Sequence, residues 1–332
     1  MVFHAPILGL LMGSFGVGLM LLYSAFHAVR IVRNWDIQSG SELQLNLERR
    51  TYLISSLISH SFAFQLFSFF LFIYTVDRLA PLFVGAMCAA GSLNVNRWGY
   101  PTIILKIFNF ILAGLWLVLN FTDNRAYDYP LIRKKYALLL FITPFIVAET
   151  ILQAAYFFGL QPNIITSCCG TLFTSDAEGV VSGIIALPPL AVETVYYLCM
   201  AITIGLGIHF YKRGKGAYTF SFVAFLNFLA GIASLISFIG LYFYELPTHH
   251  CPFCLLQKEY LYVGYPLYIA FLAGGVSGLA VGVIGPFSTI ETLKGVVPSL
   301  QRRLTLVSLL SYSVSLLIVI YGVMTSNLTL RE

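Results

Sequence analysis

The chain contains eight apolar segments that are each long enough to cross a lipid bilayer. A transmembrane helix needs about 20 mostly apolar residues, because the hydrocarbon core is about 30 Å thick. Only 10% of the residues are charged and 58% are hydrophobic, whereas about 25% of a soluble domain is charged. The sequence therefore predicts an all-α, polytopic membrane bundle in contact with lipid. The predicted spans cover residues 6–30, 51–76, 101–120, 137–158, 183–211, 217–243, 259–286 and 302–324.

The basic residues are distributed unevenly between the two sides of this bundle. Four alternate loops, at 30–50, 121–136, 212–216 and 287–303, contain 14 of the 19 Lys and Arg residues. Cytoplasmic loops of membrane proteins carry such an excess. Both termini are therefore expected outside the cytoplasm. Because this topology explains the formal net charge of +5, no nucleic-acid partner is expected.

The cysteines are concentrated on the side that carries few basic residues. Cys199 lies within a predicted span, and the other five lie in or beside the loops expected outside the cytoplasm. Disulfides form and persist in extracytoplasmic compartments, so thiol chemistry is expected on that side. The five cysteines are Cys88, Cys168, Cys169, Cys251 and Cys254.

The segment THHCPFCLLQK, residues 248–258, places two cysteines three residues apart beside two histidines. If the seventh helix has begun by Cys251, this residue and Cys254 share one face at roughly 5–6 Å between Cβ atoms. A helix N-terminus would also favour the thiolate, and Lys258 would add positive charge one turn later. The alternative is a structural disulfide or two reduced cysteines packed in the interior.

A second cysteine pair, Cys168-Cys169, lies between the fourth and fifth spans, in TSCCGTLFTSDAEG. A disulfide between adjacent cysteines strains the intervening peptide, and strained disulfides are the labile, exchanging kind. Two thiol pairs on one side of the membrane therefore favour redox exchange over a purely structural role.

The order of these features resembles the vitamin K epoxide reductase family. The run CCGTLFTSDAEGVVSGIIALPPLAVETVYYL, residues 168–198, is similar to the family's loop cysteine and second bundle helix. The run SLISFIGLYFYELPTHHCPFC, residues 234–254, is similar to its third helix and cysteine motif. DsbB gives a looser match, with Gln257-Lys258 where it carries Glu-Arg. The resemblance covers about residues 137–286.

The resemblance implies a four-helix redox core at 137–286. An N-terminal three-span region at 1–136 would be available to a larger membrane complex, and residues 287–332 would add a cytoplasmic loop and the last span. The implied activity is that of a quinone-linked thiol–disulfide oxidoreductase in a prokaryotic plasma membrane, with an extracytoplasmic thioredoxin-like protein as partner.

The resemblance also implies a role for each cysteine. Cys168 or Cys169 would receive electrons, Cys251 would be the more exposed exchange cysteine, and Cys254 would reduce the quinone, near which Lys258 would lie.

The adjacent loop cysteines depart from the family, whose loop cysteines are separated by several residues. Cys88, in GAMCAAGSLNVNRWGYP, could supply the separated thiol. The alternative is that Cys88 is a buried small residue in a re-entrant segment.

Two acidic residues are expected near the middle of the membrane. Glu149 in the fourth span and Glu193 in the fifth would each lie roughly 15–18 Å from an interface. Ionisable groups at such depth are costly and are usually functional or paired. Either residue could relay the protons released by thiol oxidation, or could be hydrogen-bonded to a neighbour such as Tyr196 or Gln153.

Two other functions remain open at this stage. The chain could bind or transport a soft metal such as copper, zinc or mercury, or it could be a non-catalytic subunit of a respiratory or assembly complex. His27 and His60 lie at unequal depths, so no haem is expected. The set that suits a soft metal is His249, His250, Cys251 and Cys254.

Overall fold

The prediction of an all-α fold is confirmed. The structure, a computed structural model, describes residues 4–162, 164–166, 180–185 and 187–330. Within these residues the regular structure is helical apart from one isolated bridge between Val84 and Ile165. The α-helices are α1 (Ala5–Asn34), α2 (Glu42–Leu79), α3 (Ala89–Leu93), α4 (Gly99–Asp123), α5 (Ile132–Phe158), α6 (Val180–Ile185), α7 (Pro189–Arg213), α8 (Ala217–Ser234), α9 (Gly240–Tyr244), α10 (Gly264–Ile284) and α11 (Val296–Thr325).

Eight helical segments in the described part of the chain are long and apolar enough to cross a membrane. They coincide with the eight predicted spans, and the chain is a multi-pass membrane protein. Two spans start later than predicted. The fifth span begins at Pro189 rather than at 183, and the seventh begins at Gly264 rather than at 259. Proline is favoured in the first turn of a helix because its missing N–H has no intrahelical partner there.

The chain divides into two compact units, of which the first comprises residues 1–76, 95–163 and 287–297. In this unit α5 packs against both α1 and α4. Its core contains Trp116, whose ring meets Phe62 edge-on at a centroid distance of 5.1 Å. The Trp116 indole N–H donates to the Lys135 carbonyl at 2.9 Å. The expected domain boundary at 136 therefore falls inside α5, within this unit.

The second unit comprises residues 77–94, 164–286 and 298–332. Here α8 packs against α7 and α10. Tyr196 on α7 packs edge-on against Phe238 and Phe271. The Tyr312 hydroxyl on α11 donates to the Ala224 carbonyl at 2.8 Å. Buried aromatic and hydroxyl groups thus join α7, α8, α10 and α11 into one bundle.

Small residues allow α8 and α10 to approach closely. A Cβ added at Gly278 would lie 2.6 Å from the Cβ of Ala224, and one at Gly282 would lie 2.5 Å from the Ser221 hydroxyl oxygen. Membrane helices use such small residues at contacts because lipid provides little hydrophobic driving force for association.

We expect Gly278→Ala to destabilise the second unit by about 1–3 kcal/mol, because the new methyl group forces α8 and α10 apart. The matched control is Gly205→Ala on α7, where an added Cβ meets nothing within 4 Å. Alanine is favoured over glycine in helices, so the control should be neutral or slightly stabilising. The free energy of unfolding in mixed micelles checks both variants, and equal effects would contradict the packing argument.

Candidate functional site

The CxxC segment lies before the seventh membrane helix, not in its first turn. Residues Cys254–Leu256 form a short 3-10 helix. The φ angles of Leu261 and Tyr262 are +54° and +55°, so the α-helix cannot start before them. It begins at Gly264. The expectation that a helix N-terminus activates these thiols is therefore wrong.

Cys88 lies in the connection that follows membrane helix α2. It precedes the short helix α3 in extended conformation, with φ of −152°, and it is fully buried. The segment that carries it follows the end of α2, and it belongs to the same unit as the CxxC segment.

The structure brings Cys88, Cys251 and Cys254 together. The Sγ atoms of Cys88 and Cys251 are 3.6 Å apart, and the three Sγ atoms all lie within 4.8 Å of one another. All three residues are buried. The sequence offered two alternatives for Cys88, a separated thiol of the redox centre or a buried small residue. Cys88 is fully buried and also lies beside the CxxC pair.

Asp77 and Gln257 hold the Cys88 segment against the CxxC segment. The Asp77 carboxylate accepts from the Ala89 backbone N–H at 3.1 Å and from the Gln257 side chain. The same Gln257 amide donates to the Met87 carbonyl at 2.6 Å. Hydrogen bonds thus flank Cys88 on both sides. The sequence analysis missed Asp77, whose only signal was a carboxylate at the end of an apolar span.

Asp77→Ala should loosen the Cys88 segment and slow Cys88–Cys251 crosslinking several-fold, because the Ala89 N–H and the Gln257 amide lose their acceptor. Asp77→Asn keeps one acceptor oxygen and should restore most of the rate. The measurement is disulfide formation by a mild oxidant, followed by peptide mass spectrometry. An unchanged rate in Asp77→Ala would exclude a positioning role for the carboxylate.

The Cys88 segment is also joined to the chain that leads toward the second cysteine pair. The Thr166 N–H donates to the Val84 carbonyl at 2.9 Å, and the Thr166 hydroxyl donates to the Gly91 carbonyl at 3.0 Å. Cys168 and Cys169, predicted as site residues, follow Thr166 in the sequence and lie outside the described residues.

The two histidines of the motif have different partners. The His249 Nε2 atom is 3.2 Å from the Cys254 Sγ atom. Among the described residues, the set of ligand atoms that all lie within 4.8 Å of one another consists of the three thiols and does not include His249. His250 Nδ1 donates to the Ile236 carbonyl at 3.0 Å. That carbonyl belongs to the π-helix Leu235–Ile239, whose altered hydrogen bonding is frequent at functional sites.

The electrostatic surroundings keep this site neutral. A hydrogen bond with the Cys254 thiol raises the pKa of Cys251 well above its usual range, with burial adding to this effect and the bond to Cys88 opposing it. Burial, with a smaller contribution from His250, lowers the pKa of His249. A neutral imidazole can accept the Cys254 thiol proton.

Backbone carbonyls of the CxxC segment are held by two tyrosines. The Tyr244 hydroxyl donates to the Cys251 carbonyl at 2.6 Å, and the Tyr268 hydroxyl donates to the Pro252 carbonyl. Cys251 is 0% exposed and Cys254 is 5% exposed. The expectation that Cys251 is the more exposed of the two is therefore wrong.

Lys258 lies on the exposed surface. Its side chain is 77% exposed and lies 3.8 Å from the Glu259 carboxylate. The contact between Lys258 and a cofactor stays a prediction.

Glu149 forms a buried ion pair in the first unit. Its Oε1 lies 2.6 Å from the Lys106 ammonium, and its Oε2 accepts from Gln65 at 2.6 Å and from Asn109 at 2.7 Å. Both charged side chains are 1% exposed. The expected neighbour Gln153 instead donates to the Leu10 carbonyl and the Ser14 hydroxyl.

Glu193 lies much nearer a helix end than expected. Because α7 begins at Pro189, Glu193 is only about 6 Å along the helix at 1.5 Å per residue. The Tyr242 hydroxyl donates to its carboxylate at 3.1 Å. Glu149, by contrast, lies nine residues before the end of α5, which is about 14 Å along the helix. The mid-membrane position of both residues stays a prediction.

The likeness to the vitamin K epoxide reductase family rests on the sequence motifs and the cysteine order alone. Comparison with protein-family models, with curated proteins and with solved structures finds no match to this chain.

Proposed function

We propose that the chain is a membrane thiol–disulfide oxidoreductase in which Cys88, Cys251 and Cys254 form the exchange centre. The observation that carries the proposal is the 3.6 Å separation between the Cys88 and Cys251 sulfurs beside a CxxC partner. Disulfide exchange needs three sulfurs, because one thiolate attacks a disulfide and displaces its other half.

In the proposed cycle the Cys88 thiolate attacks the Cys251 sulfur of a Cys251–Cys254 disulfide. The Cys88–Cys251 bond forms, and Cys254 leaves as a thiolate. A thiol from Cys168 or Cys169 then attacks Cys88, which releases Cys251. A quinone takes two electrons and two protons from the CxxC thiols and restores their disulfide. An extracytoplasmic dithiol protein then reduces the disulfide between Cys88 and Cys168 or Cys169. The oxidation of that dithiol to a disulfide balances the reduction of the quinone.

His249 suits the role of proton carrier for Cys254. Its Nε2 atom lies 3.2 Å from the thiol, and its lowered pKa keeps it neutral at pH 7. Such an imidazole can accept the thiol proton and pass it to the reduced quinone. Its ring packs edge-on against Tyr244 at a centroid distance of 4.7 Å, which restricts its orientation.

The test is the redox state of the cysteines in native membranes, read by differential alkylation and peptide mass spectrometry. A reduced thioredoxin-like protein is added with or without an oxidised short-chain quinone. We expect Cys88, Cys251 and Cys254 to become reduced by the protein and to reoxidise only with quinone. Thiols that stay reduced under all these conditions would exclude the exchange cycle.

A soft-metal centre is the second candidate, because three sulfurs within 4.8 Å of one another can bind one ion. It predicts one equivalent of zinc or copper in purified protein, and thiols that react with alkylating reagents only after a chelator is added. The exchange reading is favoured by the second cysteine pair in the sequence, which a three-thiolate metal centre would leave without a role.

A further inference from the structure

A second candidate site lies in the first unit, which does not contain the thiols, where side chains of α1 meet those of α2. The Ser61 hydroxyl donates to the Met20 sulfur at 3.4 Å. The Arg50 guanidinium lies 3.5 Å from the Nδ1 atom of His27. Because the later residue on α1 meets the earlier residue on α2, the two helices are antiparallel along this line of contact, the α1–α2 seam.

Two arginines from different helices meet at one end of the α1–α2 seam. Arg50 contacts His27 from α2, and Arg30 lies one turn after His27 on α1, close enough for its charge to act on the same ring. Both arginines are exposed. Neither forms an ion pair with a carboxylate of the described residues. Two like charges beside one ring repel each other, and an anion bound between them would relieve that repulsion.

The two arginines lie at the depth of a lipid headgroup. The predicted apolar segments of the two helices end at residue 30 and begin again at residue 51. Arg30 and Arg50 therefore stand at the boundary between the hydrocarbon core and the headgroup region. The Arg30 guanidinium also lies over the Phe26 ring, 4.7 Å from its centroid, which keeps the charge close to the apolar surface.

Exposed apolar side chains continue from the arginines along both helices. Their spacing of three, four or seven residues places them on the helix faces that carry Arg30 and Arg50. The buried core of the first unit uses other faces of α1 and α2. The outer side of the seam is thus an apolar surface with two cations at one end. The exposed apolar residues are Met12, Leu19, Tyr23 and Phe26 on α1, and Leu53 and Leu57 on α2.

We propose that the α1–α2 seam binds a phospholipid with an anionic headgroup, such as phosphatidylglycerol. The lipid phosphate accepts hydrogen bonds from the Arg30 and Arg50 guanidiniums, whose planar donors match phosphate oxygens. The acyl chains cover the exposed apolar side chains, which a free anion would leave uncovered. Basic pockets between membrane helices bind anionic lipid headgroups in this way. This proposal is independent of the thiol centre.

The test is native mass spectrometry of the full chain, released from detergent micelles at increasing lipid concentration. Dioleoyl phosphatidylglycerol is compared with dioleoyl phosphatidylcholine, which has the same acyl chains and no net charge. We expect the first phosphatidylglycerol to bind about tenfold more tightly, since hydrogen bonds between charged groups are the stronger kind. Inorganic phosphate at the same concentration, which has the charge but no acyl chains, should leave the lipid bound.

Arg30→Gln and Arg50→Gln each remove one guanidinium and should weaken phosphatidylglycerol binding about tenfold, with phosphatidylcholine binding unchanged. Arg50→Lys keeps the charge without the planar donors and should recover part of the affinity. The matched control is Arg125→Gln. The exposed Arg125 guanidinium likewise lies 4.7 Å from the centroid of a phenylalanine ring four residues earlier, that of Phe121, but it follows α4 and is not part of the seam. This variant should bind phosphatidylglycerol like the unchanged chain.

Four outcomes overturn the proposal. The two lipids bind equally well, or Arg125→Gln loses as much affinity as Arg30→Gln and Arg50→Gln, which would indicate a general effect of net charge. Inorganic phosphate displaces the lipid, which would indicate a site for a free anion. The spectra show two chains that separate in Arg30→Gln or Arg50→Gln, which would make a second copy of the chain the occupant of the seam.

Discussion

Glu149→Gln is expected to destabilise the first unit by about 3–5 kcal/mol, because it leaves the Lys106 ammonium buried without a counter-charge. The pair is 2.6 Å apart, and each side chain is 1% exposed. In the membrane no water replaces the lost partner. The aromatic ring of Phe72, with the ammonium 5.3 Å from its centroid, is a weaker partner for the cation.

The double variant Lys106→Met with Glu149→Gln should recover most of the lost stability. It removes the unpaired cation, and the new amide oxygen can accept from Gln65 or Asn109, which bond the carboxylate in the native chain. The control is Glu259→Gln, the same chemical change in a pair whose side chains are 77% and 57% exposed. Exposed pairs contribute about 0–1 kcal/mol, so the control should change little.

Mixed-micelle unfolding provides the free energies for this series. The result also separates two interpretations of Glu149. A proton relay would tolerate Glu149→Gln structurally and lose only turnover, whereas an ion pair predicts loss of stability with or without a redox partner present. A fully stable Glu149→Gln variant would reject the structural interpretation.

The membrane architecture could be predicted because it follows from continuous apolar segments, each long enough to cross the hydrocarbon core of the bilayer. Eight spans are predicted, and eight helical segments long and apolar enough to cross a membrane are found among the residues that the structure describes. The ends of the spans were less predictable. The seventh helix starts late because Leu261 and Tyr262 adopt positive φ, a conformation that neither residue type signals in a sequence.

The partners of polar residues were the least predictable part of the site. Glu149 was recognised as costly from its depth, but the choice of Lys106 over Gln153 depends on how α2, α4 and α5 pack. Likewise, Cys88 is 163 residues from Cys251 in the sequence and 3.6 Å away between sulfurs. Composition and spacing carry no information about such long-range contacts.

Cys88→Ser is expected to abolish quinone reduction by a reduced thioredoxin-like protein while sparing reduction by a small dithiol such as dithiothreitol. In the proposed cycle Cys88 connects the protein donor to the CxxC pair. A small dithiol needs no docking surface and can attack Cys254, the one cysteine of the three that is not fully buried. Cys254→Ser, by contrast, removes half of the CxxC disulfide and should abolish turnover with either donor. The measurement is the rate of quinone reduction with each donor.

Cys199→Ser is the matched control, since Cys199 lies on α7 within a span and does not belong to the three-thiol cluster. It should retain full turnover with both donors, which shows that loss of a thiol is not itself disruptive. If Cys88→Ser and Cys254→Ser lose activity equally with both donors, Cys88 is needed for the integrity of the centre and not for transfer. If Cys88→Ser is fully active with the protein donor, the three-sulfur relay is wrong, and electrons reach Cys251 or Cys254 by a route that does not include Cys88.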